Sequence, residues 1–269
     1  MKKRMLAAAL LATACAIPLG AQSTGGMRYV IKTELQQGAE AQAAGANAMA
    51  AMMAQQIKQT VFPEGAVEME FVTDGQSVRT EMRAPMATLP KGAIVLYPAG
   101  QTDGYVLNAA EKTYYVMKPP QAPSLPGGMT MPTPEIAVKP SGTFQTIVGH
   151  KAEKVTITWR MAIPVPAGVE MPPGMPTELT MDIESWCASD LKIPAGAMRM
   201  MAGVAQSMPG FGIEDIMKAC PFPLQQSMRM SMMPGYAIVS TVTSATEASP
   251  APDLFKVPAD YKEVPAPVK

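Results

Sequence analysis

The sequence predicts a mainly β protein of the α+β class: a large antiparallel sheet of about ten or eleven strands with helices covering its concave face. Three observations carry that expectation. Apolar and polar residues alternate at period two through much of the chain, turn dipeptides separate the alternating runs, and two Ala/Met-rich segments break the pattern with helical spacing. Met27–Leu35 is the first strand. In Val67-Glu68-Met69-Glu70-Phe71 the odd positions are apolar and the even ones acidic, and Asp74-Gly75 turns the chain into Val78–Arg83. Ile94–Tyr97, Gly104–Leu107 and Thr113–Met117 continue a meander, with turns at Asp103-Gly104 and Glu111-Lys112. A Pro-rich loop is expected over 119–140. Strands resume at Phe144–Val148, turn at Gly149, and run on with Val155, Ile157, Trp159, Met161 and Ile163 on one face. A second Pro-rich loop at 164–176 leads to Leu179–Ile183, then to Met228–Met232 and Tyr236–Val242.

The helical expectations are residues 38–59, where Met49, Met52, Met53 and Ile57 share a face, and Ala195–Met208 with Ile213–Ala219. A sheet this large must have its apolar face covered, and these amphipathic segments are the candidates.

The N-terminus reads as an export leader. Met1-Lys2-Lys3-Arg4 is cationic, the run from Met5 to Leu19 is apolar but too short to span a bilayer, and Leu19-Gly20-Ala21 offers a small-residue cleavage site. Residues 1–21 are the expected signal peptide and 22–269 a single β domain, working in the periplasm. Ala12-Thr13-Ala14-Cys15 supports an alternative, lipid anchoring through Cys15, although Ala12 stands where a leucine is usual. The chain has 22 basic and 22 acidic residues, and Lys2, Lys3 and Arg4 leave with the leader, so the remainder is acidic by three. That excludes nucleic acid, which requires a concentrated positive surface. No other apolar stretch approaches a transmembrane span.

Of the three cysteines, Cys15 lies in the leader, and the remaining pair, Cys187 and Cys220, reads as a disulfide in an exported protein. A metal site built from both and His150 lacks a ligand and a tight spacing. The lone histidine is read as a polar strand end, and Glu68 with Glu70 as a solvated outer face rather than a catalytic pair. There is no GxSxG, P-loop, dinucleotide fingerprint, HExxH or CxxCH. The expectation is a protein that is not an enzyme and takes no cofactor.

Methionine stands out, at 25 residues. Adaptable apolar packing is one reading. Cu(I) binding through thioethers, with Met129, Met131, Met171 and Met175 in the Pro/Gly loops, is another. Met228, Met230 and Met232 alternate with Arg229 and Ser231, which assigns that row to an interior wall.

The C-terminal run Asp253-Leu254-Phe255-Lys256-Val257-Pro258-Ala259-Asp260-Tyr261 resembles the closing LF-x-VP-x-x-Y signature of an exported bacterial family known as a domain of unknown function. Gly149-His150-Lys151-Ala152, Ile183-Glu184-Ser185-Trp186 and Pro221-Phe222-Pro223-Leu224 fit the same pattern, which spans roughly 65–264. That family is similar to LolA/LppX-type envelope carriers. The resemblance implies a half-open antiparallel β-barrel with helices over a hydrophobic cavity, and lipid or lipoprotein handling. The Ala/Met helix and the Pro-rich loops depart from the family pattern. The function expected is a periplasmic, non-enzymatic carrier of a lipid or acyl chain, with Met69, Phe71, Trp159, Met161, Met181, Met228 and Met230 lining the cavity. A structural or protein-interaction module of the envelope, with an envelope protein as partner, and a copper-handling protein are the alternatives.

Overall fold

In a computed structural model of the chain, the structure describes residues 26–38, 48–86, 89–117, 132–163, 177–191, 198 and 212–267. The expected leader, Cys15, the loop methionines and, save for Met198, the helix at 195–208 lie outside these residues. Twelve strands are described: β1 (Gly26–Gln37), β2 (Ala66–Thr73), β3 (Val78–Met82), β4 (Ala93–Tyr97), β5 (Gly104–Asn108), β6 (Thr113–Met117), β7 (Glu135–Ile147), β8 (His150–Ala162), β9 (Glu178–Ala188), β10 (Pro223–Met230), β11 (Tyr236–Ala248) and β12 (Lys262–Glu263). Helix α1 spans Ala48–Thr60, helix α2 spans Ile213–Ala219, and a 3-10 turn occupies Pro252–Phe255.

The strands form one open sheet in the order β12-β6-β5-β4-β3-β2-β1-β11-β10-β9-β8-β7. Two meanders, β2 to β6 and β7 to β10, flank a central pair made of β1 and β11. That pair runs antiparallel from Gly26↔Ala248 to Gln37↔Tyr236, with a bulge at Val30/Ile31. Every neighbour is antiparallel except β12, which joins β6 in parallel, so the sheet is mixed.

The alternating runs form strands where they were expected, and the turn chemistry explains the junctions. Asp74 Oδ1 accepts the Gln76 and Ser77 amides, and Gly75 takes φ +91°, a conformation that glycine adopts without Cβ strain. The β7–β8 hairpin turns on Val148 and Gly149, at φ 43° and 88°. Both central residues of such a two-residue turn need positive φ. A β-branched residue pays for this in backbone strain, and Val148 is held there by packing against the core.

Several details differ from the sequence expectation. β7 begins at Glu135, inside the segment expected as loop: as a sheet-edge strand it tolerates Pro140 and a bulge between Pro140 and Phe144. β10 begins at Pro223 and ends at Met230, so Met232 falls in the following turn, 43% exposed, and does not continue the wall; its neighbour Met233 is buried instead. In α1 the packed face is Ala50, Met53, Ala54 and Ile57, while Met52 is 71% exposed and lies off that face. The twelfth strand, β12, has only two residues and carries no periodic signal.

Apolar residues are buried on both faces. On one, Ile94, Leu96 and Leu107 are covered by Val257 and Tyr261 from the C-terminal segment, and Phe255 is buried where the 3-10 turn meets β3. The LF-x-VP-x-x-Y run is therefore a cover for the sheet. On the other, Tyr29 stacks on Phe71 with ring centroids 4.9 Å apart and meets Phe222 edge-on at 5.3 Å. Burial pushes the Tyr29 phenol well above the ordinary tyrosine range. With the folded value above the unfolded one, stability is complete below about pH 10 and falls as pH rises past it. Unfolding titrations in urea between neutral and strongly alkaline pH should show that loss, and Tyr29→Phe should flatten it; an unchanged alkaline limb would assign the effect to other groups.

Candidate functional site

Strand register divides the sheet into two chemically different faces. Opposed residues share a face, so Ile157↔Ile183↔Met228↔Ile238↔Leu35 and Trp159↔Met181↔Met230 mark one, called here the inner face. The same register puts Ile31↔Met69 and Tyr29↔Phe71 on it.

The outer face of the central strands is ionic. Glu70 pairs with Arg28 at 3.2 Å and with Arg83 at 2.9 Å, and Arg83 also reaches Glu68 at 3.4 Å. Glu184 pairs with Lys154 at 3.1 Å and Arg229 at 3.4 Å; the Lys154 hydrogen bond is the main cause of its carboxyl lying below the usual range. Both expected outer-face glutamates are thus engaged with arginine. His150 opens β8 and pairs through Nδ1 with Asp190 at 2.8 Å.

The inner face is apolar and falls into three packed groups. Val155, Ile157, Trp159, Met161, Met181 and Ile183 pack with Cys187 and Cys220, against which Ile216 and Ala219 of α2 lie. The two cysteines form a disulfide, with Cα atoms 5.3 Å apart. Leu35, Val67, Phe62 and Tyr236 pack with Ala54, Met53 and Ile57 of α1. Tyr29, Phe71, Val78, Phe222, Leu224 and Val242 form the third group.

All seven residues expected to line a cavity lie on this face, but not in one pool. Trp159, Met161 and Met181 are buried in the α2-side group, with Met228 and Met230 against it, whereas Phe71 is buried in the group around Tyr29. Met69 and Met230 each touch two groups and are the joints between them. Exposure varies across the face: Ile31, Met69, Met228, Met230 and Ile238 are only half-buried, while Trp159, Ile183, Val67 and Leu35 are buried.

Sequence reasoning missed one feature of this wall. Ser185, Gln226, Ser240 and Thr33 sit opposite one another on four adjacent strands and form a polar row across it. Thr33 Oγ1 and Ser240 Oγ are hydrogen-bonded at 3.0 Å. The parity of Ile183, Ser185 and Cys187 carried a signal for Ser185. Gln226 was hidden because the strand was expected to start at Met228.

Among the described residues no helix is long and apolar enough to cross a membrane. A family model described as Domain of unknown function (DUF4412) matches residues 55–261. No curated protein matches the sequence. Among solved structures, a LolA superfamily protein from Nitrosomonas europaea is similar at 8% identity over 87% of this chain and 91% of that one, with a TM-score of 0.31.

Proposed function

We propose, for a chain that belongs to the family described as Domain of unknown function (DUF4412), a non-enzymatic role in the periplasm: binding and carrying a hydrophobic ligand, a lipid or a lipoprotein acyl chain. One observation carries the reading. On the inner face the apolar side chains of Ile31, Met69, Met228, Met230 and Ile238 are only half-buried, while Trp159, Ile183, Val67 and Leu35 are buried. Apolar surface left partly open on both sides of the Thr33–Ser240 pair supports a binding role for this face. Methionine at three of the five positions suits a wall that must repack around variable chains, since the thioether side chain is flexible and unbranched. Helices α1 and α2 are the elements that would cover the concave side of a half-open barrel, and Met230 the point where their footprints meet.

Protein purified from the compartment into which it is exported should release lipid on organic extraction, detected by mass spectrometry at a near-stoichiometric ratio. Met230→Glu should lower retention of an acyl-chain probe about tenfold, because a carboxylate beside the chain must be desolvated. It should do so with less loss of stability than the same change at fully buried Ile183. Absence of co-purifying lipid together with no uptake of any acyl probe would overturn the carrier reading in favour of an interaction module closed by its own helices.

A further inference from the structure

We propose that the inner face recognises an uncharged, hydrogen-bonding group in the middle of its ligand, such as the ester and hydroxyls of an acylglycerol, through the row Thr33, Ser240, Gln226 and Ser185; this rests on the carrier reading above. The row is built by register alone: Thr33↔Ser240, Ser240↔Gln226 and Gln226↔Ser185 are direct cross-strand partners on β1, β11, β10 and β9. It runs at right angles to the strands, through a wall that is otherwise apolar. The next inward positions on one side are Leu35, Ile238, Met228 and Ile183.

Such a row is costly in an apolar surface unless its polar atoms find partners. Ser185 has not found one: the side chain is 1% exposed and its Oγ makes no hydrogen bond. Thr33 and Ser240 satisfy each other with a single bond, which leaves one hydroxyl proton and acceptor lone pairs over. Gln226, half-buried between Ser185 and Ser240, adds an amide that both donates and accepts. Thr33, Ser240 and Gln226, each half-buried, present donors and acceptors to a ligand carbonyl or hydroxyl, with the unpartnered Ser185 hydroxyl next to Gln226.

The charge of the ligand's buried part follows from what the wall lacks. No acidic or basic side chain occupies the inward positions from Tyr29 to Leu35 on β1, Val67 to Phe71 on β2, Met181 to Cys187 on β9, Leu224 to Met230 on β10 or Tyr236 to Val242 on β11. An anionic group placed over the row would meet no counter-charge from these strand positions and would lose its water. Neutral esters, amides and hydroxyls avoid that cost.

The test uses the full-length mature protein, freed of lipid, and displacement of the uncharged fluorophore N-phenyl-1-naphthylamine by two amphiphiles of equal chain length, monopalmitoylglycerol and hexadecyl sulfate. Monopalmitoylglycerol should displace the dye at about tenfold lower concentration, roughly 1.4 kcal/mol of preference. Ser185→Ala and Gln226→Leu should each reduce that preference at least threefold. Ser185→Ala should also raise the melting temperature of the lipid-free protein, because it removes an unpartnered hydroxyl. Equal displacement by the two amphiphiles, a preference for the sulfate, or variants that keep the wild-type preference would overturn the proposal and leave the carrier reading standing if the dye binds. Failure of the dye and of both amphiphiles to bind would overturn the carrier reading, and this proposal with it.

Discussion

Replacing Cys187 and Cys220 together with serine is expected to lower the unfolding free energy by about 3–4 kcal/mol. The bridge closes a segment of sequence separation 33, and by loop-closure entropy a cross-link of that span removes about this much freedom from the unfolded chain. The effect on α2 should be disproportionate. With seven residues the helix is far below the length that is stable alone in water. It is held by the bond at its C-terminal boundary, by Ile216 and Ala219 on the Trp159 group, and by the close approach of Gly212 to Ile136, where a Cβ would collide with the Ile136 side chain. Urea unfolding of the oxidised protein and of the double variant, compared through midpoint and slope, measures the loss. A change under about 1 kcal/mol would mean that the unfolded chain is already compact across this segment.

Phe255→Ala should cost about 3–4 kcal/mol, the range for emptying a buried aromatic site. Phe255 is 4% exposed, and the turn that carries it leads into Val257 and Tyr261, which lie over Ile94, Leu96 and Leu107. Beyond them Lys112 and Asp260 pair at 2.8 Å and the Tyr114 hydroxyl donates to Glu263 at 3.1 Å; both contacts are exposed and contribute little by comparison. The variant should therefore expose apolar outer-face surface and bind a hydrophobic dye there. A wild-type melting temperature would show the C-terminal run to be dispensable for the fold.

Much of the sheet was legible because period two survives wherever one strand face is buried and the other solvated. Val67–Phe71 and Val155–Met161 show it plainly. Legibility failed where other rules dominate. The edge position of β7 permits Pro140, which in an interior strand would argue against a strand at all, and the polar pair Gln225-Gln226 hides the start of β10. The Cys187–Cys220 bridge could be read from arithmetic, whereas the polar row could not. Thr33, Ser185, Gln226 and Ser240 are dispersed along the sequence, and only the pairing of β1 with β11, β11 with β10 and β10 with β9 aligns them. Likewise Met232 fits the alternation of Met228 and Met230, and only the turn after β10 removes it from the wall.

The central position of β1 and β11 constrains the order in which the sheet can be assembled. A chain that emerges N-terminus first can pair β1 with β2 as soon as residue 73 is free, and can then complete the meander through β6. The second edge of β1 has no partner until residues 236–248 have followed, some two hundred residues later. Through that interval Tyr29, Ile31 and Leu35 stand at an unfinished border with their backbone donors and acceptors open, the arrangement most prone to join a foreign strand. The same delay keeps the sheet from being completed until nearly all of the chain is available.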